Sequence, residues 1–154
     1  MALYVLVAIS ILVFWVVIDH SRVRGWLPLM ITGVFLRYLY QLFLISWLQI
    51  WIVHGESWQK LWNPILADIT IWPVFTLLFV QFIPRQPYRF WYVVVYVIGS
   101  IGYEQLLVRF GILSAGESWH IGFAFLEQTI YYSMLYLLWQ WLSPAVREET
   151  RLDD

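Results

Sequence analysis

Long apolar runs, separated by short polar clusters, set the pattern of this chain. A helix that crosses a bilayer needs about 20 mainly apolar residues, within a range of about 17–25. Five runs meet that length, at about residues 2–18, 26–47, 64–83, 90–108 and 119–142. The breaks between them carry the residues that start and stop helices. Asn63 followed by Pro64 predicts the start of the third helix: the Asn side chain caps free N–H groups, and Pro at the first helical position loses nothing. Ser118 predicts the cap of the fifth helix, and Pro84 and Pro144 predict the ends of the third and fifth. The expected fold is an all-α, five-helix transmembrane bundle over residues 1–143, followed by a cytoplasmic tail, 144–154.

Composition agrees with this pattern. Hydrophobic residues make up 62% of the 154 and charged residues 12%, against about 45–50% and about 25% in ordinary soluble domains. A chain this short cannot hide that surplus in one core, so it needs lipid. The first run lacks a basic segment before it and is expected to be a retained helix, not a cleaved signal. Cys is absent, which excludes disulfides and thiolate chemistry. The net charge of −1 points away from nucleic acid.

Orientation follows from the short loops. Arg22, Arg24, Arg85, Arg89, Arg147 and Arg151 fall on one side, whereas the other has Lys60 and, at a helix end, Arg109. Basic loops stay cytoplasmic. The N-terminus and the loops Val53 to Asn63 and Phe110 to Ser118 are therefore expected outside. Those two loops echo each other, since Gly55-Glu56-Ser57-Trp58 recurs as Gly116-Glu117-Ser118-Trp119. A duplicated helical hairpin and shared loop chemistry both account for the echo.

Charged groups inside spanning helices are costly, at about 2.5–3.5 kcal/mol each at mid-helix on insertion scales. Arg37, Asp68, Glu104 and Glu127 are the candidates, with Gln41, Gln105 and Gln128 at similar heights. On the fifth helix Glu117, His120, Ala124, Glu127 and Tyr131 share a stripe. Gly33, Arg37, Gln41 and Leu44 do so on the second, and Ser100, Glu104 and Gly111 on the fourth. Each stripe should face the bundle interior, because lipid offers no hydrogen-bond partner. One guanidinium can hold one carboxylate bidentately, and Arg109 is placed to reach Glu104. At least one acid then needs a proton, water or a bound cation, and Glu127, the deepest, is the expected proton holder. The expected ligand- or proton-binding set is Arg37, Gln41, Asp68, Glu104, Glu127 and Tyr131.

Other features carry plainer readings beside the chemical ones. His54, Glu56, Glu117 and His120 have the donor types of a zinc tetrahedron, if the outer loops meet; loop solvation is the simpler account. Pro73, mid-helix beside Asp68, should kink the third helix. Gly99, Ser100 and Gly102 should let another helix approach closely. Asp19-His20 reads as a polar helix end.

Asp19-His20, Gly25-Trp26-Leu27-Pro28, the spacing of Asp68, Pro73 and Pro84, then Glu104, Gly111-Ile112 and Gly116 to Trp119 run in a characteristic order. In that order the chain resembles a family of small five-helix membrane proteins of spore-forming Gram-positive bacteria, named after a clostridial locus tag. The resemblance covers nearly the whole chain and implies five helices and a bacterial plasma membrane, with no activity to carry over. Arg37 has no counterpart in that pattern. Tryptophan-rich sensory proteins share helix number and Trp abundance, but their Pro- and Trp-rich first loop has no match in residues 19–25.

No Ser–His–acid set, phosphate loop or HExxH motif is present, so the expectation is a protein that is not an enzyme. Its expected partners are the lipid bilayer and a proton, cation or small ligand held in an outward-facing acidic pocket. A structural or assembly subunit, working through a homo-oligomer or another membrane protein, is the second reading. An oligomeric small transporter or channel is the third.

Overall fold

The computed structural model describes residues 2–84 and 87–152, and side chains as far as residue 142. Five α-helices run α1 Ala2–Val17, α2 His20–Gln41, α3 Ser57–Gln81, α4 Arg89–Arg109 and α5 Ile121–Leu152. A π-helical segment, Leu42–Trp47, prolongs α2, and two short strands, β1 Trp51–Val53 and β2 Leu113–Ala115, pair antiparallel. The strand pair is an addition to the expected all-α fold.

Among the described residues three helices are long and apolar enough to cross a membrane: His20–Trp47, Ser57–Gln81 and Arg89–Arg109. Ala2–Val17 is a shorter apolar helix. Their outer faces carry large apolar side chains such as Leu12, Trp15, Phe35, Trp91 and Leu137, all well exposed. An apolar surface this extensive marks contact with something other than water.

Several helix limits differ from the sequence reading. The α1–α2 link is only Ile18 and Asp19, and Arg22 and Arg24 lie inside α2. Asp19 caps α2, accepting from the Ser21 backbone N–H at 3.1 Å and its hydroxyl at 2.6 Å. The Ser21 hydroxyl, with Arg22 beside it, holds the Asp19 carboxyl below its ordinary range. Asn63-Pro64 does not open α3. Glu56 does, through a capping box with Gln59, and the one carbonyl that Pro64 leaves without a helical donor, that of Lys60, lies in the solvent-exposed first turn. At α5 the cap is His120 rather than Ser118, since its Nδ1 accepts from the Phe123 N–H at 3.1 Å. Pro144 does not end α5, whose backbone stays helical to Leu152; one lost hydrogen bond is outweighed by strong helix formers such as Ala145, Arg147 and Glu148. Arg85 lies outside the described residues, as do the side chains of Arg147 and Arg151.

Contacts along the chain give the helices alternating directions. Gln81, at the end of α3, donates to the Val17 carbonyl at 2.9 Å and accepts from the Asp19 N–H at 2.9 Å, so α1 and α3 finish together. The start of α3 therefore shares its end of the bundle with the π segment, the end of α4 and the start of α5. There α4 stops in a Schellman motif: Gly111, at φ +67°, donates to Val108, and Ile112 donates to Leu107. The strand pair closes this end, with Val53 opposite Leu113 and Ile52 opposite Ser114. Each Gly-Glu-Ser-Trp copy directly follows its strand region and leads into a helix, α3 or α5. The two copies thus occupy corresponding places around the paired strands.

Close helix approach happens at Gly33, not at Gly99 or Gly102. A Cβ on Gly33 would meet Thr76 Oγ1 at 2.8 Å and the Tyr131 hydroxyl at 3.2 Å, whereas one on Gly99 or Gly102 would meet nothing within 4 Å. Those two glycines are exposed; between them Ser100 and Ile101 turn inward, Ser100 to the Tyr132 hydroxyl at 2.6 Å.

Candidate binding site within the bundle

Gly33 brings α2 against α3 and α5, and one turn later Arg37 enters the space that this creates. Its guanidinium lies between two rings, with Cζ 3.7 Å from the Trp72 centroid and 4.1 Å from that of Tyr40. Such stacking suits a planar, weakly hydrated cation. Arg37 Nε is 3.9 Å from Asp68 Oδ1, close enough for charge attraction but too far for a hydrogen bond. Asp68 is 0% exposed, and neither of its oxygens has a hydrogen-bond partner.

A second group of carboxyls stands beside this pair. The Tyr40 hydroxyl donates to Glu127 Oε1 and, at 3.4 Å, also approaches Glu104 Oε1. Gln128 Nε2 donates to Glu104 Oε1 at 2.7 Å. Three carboxyls from three helices therefore surround one guanidinium. Ser100 and Tyr132, and Thr76 and Tyr131 at 3.2 Å, complete the polar contacts one layer away. The π segment begins directly after Tyr40-Gln41, and such irregular turns recur at functional sites.

Part of this cluster lines a cavity of about 50 Å³. Arg37, Asp68 and Glu104 form its polar side, Gln41 and Asn63 also reach it, and Trp51 and Leu113 of the strand pair line it as well. Buried atoms without a hydrogen-bond partner concentrate here: Arg37 Nε and Nη1, both Asp68 oxygens, Glu104 Oε2 and the Tyr103 hydroxyl, with Glu127 Oε2 and Gln128 Oε1 nearby. Each such atom costs about 1–3 kcal/mol, more when charged. By size, the space suits a few waters, a small cation or an ammonium-sized group; an engineered cavity of about 150 Å³ is needed for benzene.

The structure therefore brings together Arg37, Asp68, Glu104 and Glu127 from the sequence-derived set, with Gln41 on the cavity wall and Tyr131 beside Arg37, its ring centroid 6.0 Å from Cζ. It does not bring Arg109 to Glu104: among the described residues the two ion pairs are Arg22–Asp19 and Arg37–Asp68. Tyr40, Gln128, Trp72 and Tyr103 belong to the cluster and were missed. Gln128 carried a partial signal, a fully polar side chain at the height of Glu104. Tyr40 lies one turn from Arg37, but Tyr is too common in such helices to mark a site.

The zinc-like set is corrected. His54, Glu56, Glu117 and His120 do not converge, and among the described residues no group of three or more His, Asp or Glu side chains could hold a metal ion. Local bonds take these side chains: His54 Nε2 pairs with Ser114 Oγ at 2.8 Å, Glu56 accepts from Trp58 Nε1 at 2.7 Å, and His120 caps α5. Glu117 is exposed beyond the start of α5. Compared with known proteins, the chain matches no family model, no curated protein and no solved structure.

Proposed function

We propose that this protein crosses a bacterial plasma membrane five times, with its N-terminus outside, and holds a proton or small cation in the cavity between α2, α3 and α4. The plasma membrane is the location that the family resemblance implies. One observation carries the binding reading: two carboxyls, Asp68 and Glu104, share one cavity with a single guanidinium, a third, Glu127, stands behind Tyr40, and Asp68, Glu104 and Arg37, all more than nine-tenths buried, turn unpartnered polar atoms toward the cavity. An excess of buried acids over bases needs positive charge from elsewhere. Arg37 is the internal counter-ion; Asp68 and Glu104 hold the guest, with Glu127 behind Tyr40.

The test is thermal unfolding of the purified protein in nanodiscs, titrated with methylammonium, sodium and potassium. At least one should raise the unfolding temperature in a saturable way, and Glu104→Gln or Asp68→Asn should weaken that effect at least tenfold. If none of the three cations stabilises the protein above the choline control, the cation reading fails.

A second reading is that the cluster only holds helices together. The bonds from Gln128 to Glu104 and from Tyr40 to Glu127 each join two helices and favour it. Such bonds contribute about 0.6 kcal/mol on average within membranes. Under this reading the double variant Glu104→Gln with Glu127→Gln, which keeps both bonds, is as stable as the parent and forms the same assemblies.

A further inference from the structure

Tyr40 separates two spaces. On one side it lines the polar cavity; on the other it helps close the floor of a larger groove, about 360 Å³, between α2 and α5. Leu39 and Phe43 of the α2 side and Leu126, Ile130 and Met134 of α5 form the walls. All five are exposed, so the groove opens sideways through the apolar belt and not toward either end of the bundle. Its volume is more than twice that of the roughly 150 Å³ cavity that accepts benzene.

The floor sets this groove apart from a furrow that acyl chains merely fill. Glu127 lies there, its Oε1 accepting from Tyr40 and its Oε2 buried without a partner. Glu104 stands directly behind, sharing the same Tyr40 hydroxyl. The one nearby cation, Arg37, is on the far side of the Tyr40 ring, stacked against it. An apolar channel thus ends on a surplus of carboxyls over cations. An uncharged tail satisfies the walls and leaves the floor unmet, and an anionic amphiphile brings it no positive charge.

We infer that the groove admits an amphiphile with one apolar tail and a protonated amine head, which reaches the acidic cluster sideways from the lipid. The tail lies along Leu39, Phe43, Ile130 and Met134, and the ammonium meets Glu127, with Tyr40 between it and the polar cavity. This inference rests on the cation-binding reading and adds the route and the ligand class.

The probe is a dodecylamine carrying a mid-chain diazirine, photo-crosslinked to the protein in nanodiscs and mapped by peptide mass spectrometry. Labelling should fall within residues 36–44 and 123–134 and saturate. Dodecylammonium should compete at least tenfold better than dodecanol. Glu127→Gln should weaken labelling at least tenfold, and Ile130→Trp, which fills the groove without touching the carboxyls, should abolish it. Equal competition by dodecanol, or labelling indifferent to both variants, overturns the inference. Methylammonium, which needs no groove, separates the two proposals. If it still stabilises Ile130→Trp while the dodecylamine shows no preference for charge, the polar cavity stands and the lateral route falls. If none of methylammonium, sodium and potassium has an effect on any variant and the dodecylamine shows no charge preference, both fall.

Discussion

Replacing Arg37 by Met removes the one buried cation of the cluster and tests the charge reading directly. Asp68, 0% exposed and without a hydrogen bond, would then lose its counter-ion. Breaking a buried ion pair from one side costs about 3–5 kcal/mol. The guanidinium also stacks on Trp72 and Tyr40, at 3.7 and 4.1 Å, and desolvated contacts of this kind contribute about 2 kcal/mol. Met returns part of that loss, because a thioether beside aromatic rings gains about 0.3–1.5 kcal/mol. The net expectation is a loss of about 4–7 kcal/mol. Changing Asp68 to Leu as well removes the stranded charge. At 3.9 Å and without a hydrogen bond, the original pair is loosely joined and contributes little net stability. The double variant should therefore return to within about 1 kcal/mol of the parent. Equilibrium unfolding by sodium dodecyl sulfate in mixed micelles measures all four corners of this cycle. If Arg37→Met alone changes stability by less than about 0.5 kcal/mol, or the double variant is weaker than the single one, the buried-charge argument is wrong.

Gly33→Ala should destabilise by about 1–3 kcal/mol in the same assay, because Thr76 Oγ1, 2.8 Å from the new Cβ, is already held by the Trp72 carbonyl at 3.0 Å. Gly99→Ala, which meets nothing, is the neutral control. Gly116→Ala should open the strand pair, since its Cβ would collide with the Gln49 carbonyl and sit 3.1 Å from that of Ile50; faster amide exchange at residues 51–53 and 113–115 would report it. The chain has no Cys, so single cysteines read sidedness cleanly. A membrane-impermeant maleimide should label Glu117→Cys in intact cells and Tyr88→Cys only after permeabilisation, and the reverse pattern would invert the proposed orientation.

The sequence made the charged core of the site legible because an ionised group in a spanning helix is expensive, so Arg37, Asp68, Glu104 and Glu127 stood out one by one. Their polar neighbours were harder to see. Gln128 and Glu127 are adjacent in sequence and point about 100° apart on the helix, yet Glu127 reaches α2 through Tyr40 while Gln128 reaches α4 through Glu104. A single stripe per helix cannot express a side chain pair that serves two neighbours. Helix limits failed for a related reason. Asn63-Pro64 and Pro144 are breakers by local chemistry, but a helix near an aqueous end tolerates one open carbonyl, and the capping box at Glu56 set the true start of α3. The three-residue strands carry too little pattern to announce themselves, and the repeated Gly-Glu-Ser-Trp was their only trace. Gly99 and Gly102 look like a contact motif because small residues permit contact; nothing in their spacing says which way they face.

The two-residue link after α1 bears on how the protein is made. α1 and α2 leave the ribosome in succession, yet the hydrogen bonds that fix α1 come from α3: Ser10 reaches the Thr70 carbonyl at 3.3 Å, and Gln81 clasps the Val17 and Asp19 backbone. During synthesis α1 therefore waits, tethered to α2 but unseated, until roughly sixty more residues have been made. A quality-control factor that guards half-built bundles has its clearest target in that interval, when the Ser10 hydroxyl, buried in the finished bundle, still stands open on a largely apolar rod.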